Sequence, residues 1–123
     1  MRDHTKLRAF ELADQLAVNT YRLTATFPRH ELYGLISQMR RAAVSVPTNI
    51  VEGCARNSTT EYLRFLNIAF GSLRELHYQI NLSQKLGFIG VKESEVLENL
   101  VIENEKVLNA LIRAIRVKDS VSN

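Results

Sequence analysis

Apolar and small residues recur every three or four positions along four stretches of this chain, the spacing that gives an α-helix one buried face. In the first stretch, about residues 6–26, Phe10, Ala13, Ala17, Tyr21 and Thr24 form the stripe, and Leu12, Leu16 and Leu23 widen it. Phe27-Pro28 ends it, because proline disfavours helical geometry in the residue before it. The second stretch, about 31–56, contains Pro47. An interior proline removes one backbone hydrogen bond and crowds the carbonyl four residues back, here that of Ala43. The pattern predicts a second helix kinked at Pro47, near Ser45, or two helical pieces in series, with Ser45 and Asn49 meeting the freed carbonyls. Ser58-Thr59-Thr60-Glu61 has the form of a capping box, with Glu61 reaching back to the Ser58 amide. A third helix follows to about residue 86, burying Tyr62, Phe65, Leu66, Ala69, Leu73, Leu76 and Ile80, and Gly87 stops it. The fourth runs to about residue 117, with Val96, Leu97, Leu100, Val101, Val107, Leu108, Leu111 and Ile115 inward, and residues 118–123 read as a frayed tail.

Four amphipathic helices on short connections must bury their stripes against one another. The simplest arrangement is an all-α, antiparallel up-and-down four-helix bundle in one domain, residues 1–123. Composition agrees: two Pro and five Gly are too few for a turn-rich β fold, and 46% hydrophobic residues suffice for one core in a chain of this length.

The chemistry expected is that of binding, not catalysis. There is no glycine-rich phosphate loop, no nucleophile elbow and no pair of Cys or His at zinc spacing. No metal or cofactor is implied. Cys54 is the sole cysteine and reads as buried packing; His77, beside Leu76, reads as a partly buried polar contact. The opening MRDHTKLRAF lacks the apolar core of a signal peptide, and no run approaches the roughly 18 apolar residues of a membrane span, so a soluble cytoplasmic protein is expected.

Charge adds a sharper feature. Net charge is +3, and all of the excess falls in the first half: residues 1–60 carry eight Lys/Arg against five Asp/Glu, residues 61–123 eight of each. Between residues 21 and 60 there is no lysine, and the arginines Arg22, Arg29, Arg40, Arg41 and Arg56 are opposed by Glu31 and Glu52 alone. An arginine-only set suits recognition of phosphate or carboxylate. The plainer reading is a solvated face with salt bridges between helices.

One ordered set of residues carries a resemblance: Phe27-Pro28, Glu31, Tyr33-Gly34-Leu35, Gln38, Arg40-Arg41-Ala42, Ser45, Pro47, Asn49-Ile50, Glu52-Gly53 and Arg56, then Phe65, Ala69, Gly71-Ser72-Leu73, Glu75 and Leu76. This pattern resembles the four-helix-bundle proteins encoded in intervening sequences of bacterial 23S rRNA genes, the S23 ribosomal protein family, with Phe10 where the family commonly has Trp. The resemblance implies a bundle that assembles into a ring, typically a homopentamer. It also implies a relationship to the accessory protein of diversity-generating retroelements, a basic pentamer that binds nucleic acid and a reverse transcriptase.

Function is thus expected to be non-enzymatic binding by an oligomer, of RNA more than DNA, through Arg22, Arg29, Arg40, Arg41 and Arg56. The alternative is a protein–protein scaffold in which the same arginines hold subunits together or receive an acidic partner. Arg40 and Arg41 lie about 100° apart on a helix, so one can meet Glu31 or Glu52 while the other faces outward. Pro47 and Asn49 read as structural, Glu52 as an arginine partner, Gly53 as a close-packing or backbone-reversal site, and Gly71-Ser72 as small residues that let helices approach. Tyr33 is the aromatic nearest Arg40 and Arg41 along the chain, either a core or interface residue or a platform for a stacked base.

Overall fold

The computed structural model describes residues 2–122, apart from the side chain of Ser122. All regular structure among them is helical: α1 (Arg8–Thr24), α2 (Leu35–Cys54), α3 (Thr59–Lys85) and α4 (Val91–Ser122), with short 3-10 turns at His4–Lys6 and Arg29–Glu31. Each helix packs on two others, α1 on α2 and α4, and α3 on α2 and α4, while the diagonal pairs stay apart. Cross-contacts give the directions. Arg40 of α2 reaches Thr24 of α1, Ser83 of α3 reaches Met39 of α2, and Ser94 of α4 reaches Gln84 of α3. The helices therefore run up and down around a square, an antiparallel four-helix bundle.

The core is built from Leu16, Met39, Val46, Ile50, Leu66, Leu73, Leu76, Ile80, Leu97, Val101 and Leu108, all essentially inaccessible to solvent. In α1 the inward face differs from the expected one. Ala9, Leu12, Ala13, Leu16, Thr20 and Thr24 are buried, whereas Phe10 is half-buried and Tyr21 is 45% exposed. The threonines are tolerated because each hydroxyl donates to a carbonyl one turn back, Thr20 Oγ1 to Leu16 O (2.8 Å) and Thr24 Oγ1 to Thr20 O (2.7 Å). In α4, Val96 is 67% exposed, and Ile112 with the polar Ser94 and Asn104 lies inside instead. Asn104 Nδ2 bonds Leu12 O (3.2 Å) and Leu100 O (2.9 Å), which ties α4 to α1.

Local signals set most helix ends. Ser58 Oγ accepts from Glu61 N (3.1 Å) as a capping residue should, but the Glu61 carboxylate pairs with Arg64 Nε (3.0 Å). That arginine, one turn along, holds the Glu61 carboxyl below its ordinary range. Gly87, at φ +77°, takes the left-handed conformation that ends α3. The second helix begins later than the periodicity predicts, at Leu35, because residues 29–31 form a 3-10 turn. It then continues through Pro47 as one helix, not two pieces. The fourth helix extends to Ser122, so the expected frayed tail is helical as far as described. At a rise of about 1.5 Å per residue α4 is nearly twice as long as α1.

Candidate nucleic-acid interface

The corner where α1 hands over to α2 gathers three of the five expected arginines. Its shape follows from the connection between the helices. Phe27 is buried, its ring 5.8 Å from that of Phe88, and this anchors the chain as it leaves α1. The 3-10 turn then places Glu31 so that its carboxylate accepts from Leu35 N (3.0 Å), capping the positive end of α2. Leu32 and Tyr33 are left on the outside, Tyr33 at 94% exposure.

Arg40 crosses from α2 to the end of α1. Its Nε donates to Thr24 Oγ1 (2.9 Å), its Nη2 donates to Tyr21 O (3.2 Å), and its guanidinium lies 4.6 Å from the centre of the Tyr21 ring. A cation at the carbonyl end of a helix is favoured by the helix dipole. All of these partners are neutral. The expectation that Glu31 or Glu52 would pair with Arg40 or Arg41 is therefore not met: Glu31 is turned onto a backbone amide, and Glu52 Oε2 lies 2.8 Å from Arg56 Nη2. Arg41, one position on, is exposed and makes no hydrogen bond or ion pair among the described residues.

Two adjoining hollows open here. The smaller, about 180 Å³, is lined by Thr24, Ala25, Phe27, Arg29, Leu32, Ile36 and Arg40. The larger, about 410 Å³, shares Leu32, Ile36 and Arg40 and adds Tyr21, Tyr33, Ser37 and Arg41. No aspartate or glutamate lines either one.

The remaining two arginines stand elsewhere. Arg22 is exposed but lines neither hollow. Arg56, sixteen residues after Arg40, sits about 24 Å along the bundle, paired with Glu52 and stacked on the Phe65 ring at 4.8 Å. The five do not form one patch. Tyr33 is neither core nor covered, and Tyr21, which the periodicity placed inward, lies against Arg40.

The other motif residues serve the helix contacts. Asn49 Nδ2 donates to Ser45 O (2.7 Å) and Ser45 Oγ (2.9 Å), and Ser72 Oγ meets Ser45 Oγ at 2.8 Å, so the turn around Pro47 is stitched to α3. Gly53 is where α2 and α3 press together: a Cβ there would lie 3.1 Å from Phe65 Cβ and 3.2 Å from Tyr62 O. Gly71 does not do the same, since nothing lies within 4 Å of where its Cβ would be. Burial pushes the Cys54 thiol up and pushes the Tyr62 hydroxyl up to about 12, which leaves both uncharged and unreactive near neutral pH.

One charged cluster escaped the sequence reading. His77 stands between two glutamates of α4, Nδ1 3.2 Å from Glu105 and Nε2 3.6 Å from Glu98, and Glu105 also pairs with Arg74 (2.9 Å). Its positions are legible as faces of α3 and α4, but the pairing needs their relative height. Among the described residues no group of three or more His, Cys, Asp or Glu could hold a metal ion.

A family model described as 23S rRNA-intervening sequence protein matches residues 5–110. The chain belongs to that family. The matched span takes in all five arginines, and α4 continues beyond it from residue 111. The fold agrees with a crystal structure of a protein with unknown function from the S23 ribosomal protein family, from Bacteroides thetaiotaomicron VPI-5482. The likeness has a TM-score of 0.80 at 23% sequence identity, and covers 85% of this chain and 95% of that one. No curated protein matches the chain. No described helix is long and apolar enough to cross a membrane.

Proposed function

We propose that this member of the 23S rRNA-intervening sequence family is a non-enzymatic, ring-forming binding protein for nucleic acid, RNA more than DNA, contacting it at the α1–α2 corner. The observation that carries the reading is Arg40. A half-buried guanidinium fixed entirely by neutral acceptors, with exposed Arg29 and Arg41 beside it and no carboxylate in the lining, is a cation held ready for an external anion. Four other arginines, Arg8, Arg56, Arg64 and Arg74, have glutamate partners, whereas Arg2 is held like Arg40 by a carbonyl and a tyrosine ring. Assembly as a homopentamer follows the family resemblance and is supported by exposed apolar side chains on the outer faces, among them Val18, Val44, Ile68 and Tyr78. Ring symmetry would multiply the three arginines into a sizeable local field.

The test is a binding titration with RNA at several salt concentrations, alongside light scattering. If three phosphates are met per subunit, log K falls by roughly 2 to 3 per tenfold salt. Because Arg40 also ties α2 to α1, the clean variants are Arg29→Ala and Arg41→Ala. Each should weaken binding and lower the salt slope by about 1 while the oligomer mass stays unchanged. A mass of one 14.0 kDa chain at micromolar concentration would remove the ring. Absence of RNA and DNA binding at about 50 mM salt would leave the scaffold reading, in which the arginines receive an acidic protein.

A further inference from the structure

The geometry points to an unpaired nucleotide as the unit this corner takes: one base in the smaller hollow, its neighbour stacked on Tyr33, and the linking phosphate on Arg40 and Arg41. The inference rests on the nucleic-acid reading above and narrows it to single-stranded segments.

Arg40 supplies the first part. A guanidinium has five N–H donors in a planar fork, and here Thr24 Oγ1 and Tyr21 O occupy one on Nε and one on Nη2. The donors that remain have no acceptor among the described residues, and the two hydrogen bonds hold the side chain against the end of α1. A fixed fork with open donors fits the paired oxygens of a phosphate better than a mobile lysine would.

The small hollow supplies the second. Its lining combines the buried Thr24, Phe27 and Ile36 with the exposed Ala25, Leu32 and Arg29 and the half-buried Arg40. A volume of about 180 Å³ exceeds the roughly 150 Å³ of an apolar cavity known to hold benzene, so a single planar ring system fits. A base held in a duplex cannot enter a recess of that size without leaving its partner.

Tyr33 supplies the third. It lines the larger hollow, which shares Leu32, Ile36 and Arg40 with the small one, and it is almost fully exposed. Aromatic platforms beside a basic groove are how single strands are held without sequence preference, because every base has a face to stack. An A-form duplex offers phosphates and 2′-hydroxyls instead and would leave both Tyr33 and the hollow unused.

The experiment compares three probes on the full-length protein: an unstructured oligouridylate, an oligomer of equal length whose sugars lack bases, and an RNA duplex carrying the same number of phosphates. The oligouridylate is expected to bind on the order of tenfold or more tightly than the abasic strand. Tyr33→Ala should remove much of that preference without changing the salt slope. Ala25→Phe, which plugs the hollow from an exposed position at the end of α1, should do the same. Arg41→Ala should instead weaken all three probes alike. Equal binding of the intact and abasic strands, or a duplex bound as tightly as the oligouridylate, overturns the nucleotide site while backbone binding by the arginines survives. Failure of all three probes overturns both readings.

Discussion

Gly53 and Gly71 both lie inside helices, and replacing either with alanine offers a local gain in helix propensity of up to about 1 kcal/mol. The structure predicts opposite outcomes. At Gly71 the new methyl enters open space, so the gain stands alone. A stabilisation of about 1 kcal/mol would raise Tm by roughly 3–5 °C in a chain of this size. At Gly53 the methyl would sit 3.1 Å from Phe65 Cβ, 3.1 Å from Tyr62 Cδ1 and 3.2 Å from Tyr62 O. Two of those three atoms are rooted in the α3 backbone and cannot rotate aside, so α2 and α3 must part by a few tenths of an ångström. Overpacking of that kind costs about 1–3 kcal/mol, and Gly53, next to the last residue of α2, collects less than the full propensity gain. Gly53→Ala should therefore destabilise by on the order of 1 kcal/mol. Urea unfolding followed by circular dichroism, at two protein concentrations so that assembly is separated from protomer stability, measures both variants. If Gly53→Ala stabilises as much as Gly71→Ala does, the tight α2–α3 contact is wrong. A change of oligomer mass in Gly71→Ala alone would show that this open face is covered in the assembly.

Glu105 and Glu103, two of the three glutamates that α4 sends to neighbouring helices, should differ in worth. Glu105, 12% exposed and shared by Arg74 and His77, should cost about 1.5–3 kcal/mol on truncation to alanine, whereas Glu103, half exposed and paired with Arg8, should cost under about 1 kcal/mol; similar losses in chemical denaturation would refute the difference. Tyr62 gives a pH dependence. Burial raises its folded-state value to about 12 from an ordinary 10.0, so the stability it contributes is complete below pH 10 and is lost as pH rises toward 12. Ultraviolet absorbance should find one late-titrating tyrosine that disappears in Tyr62→Phe, and an unchanged titration curve in that variant would rule out the assignment.

What the sequence alone determined is the local part of this protein. Four helices, the Ser58 cap, the Gly87 stop and the buried stripe of α3 depend on side-chain period and on neighbours within a turn, and these were legible. So was the family, because its residues form an ordered pattern along the chain. Which face of α1 turns inward was not legible. Leu12-Ala13 and Leu16-Ala17 offer two rival stripes one residue, about 100°, apart, and only packing against α2 and α4 chose the one that leaves Tyr21 outside. The same holds for Val96 and Ile112 on α4. The candidate site depended on more than faces. Arg40 finds Thr24 sixteen residues away, His77 finds Glu105 across two helices, and Arg56 falls at the far end from the arginines it accompanies in sequence. Each of these is a matter of relative height and adjacency around the bundle. Those are fixed by loop geometry and core packing together, and no window of sequence contains them.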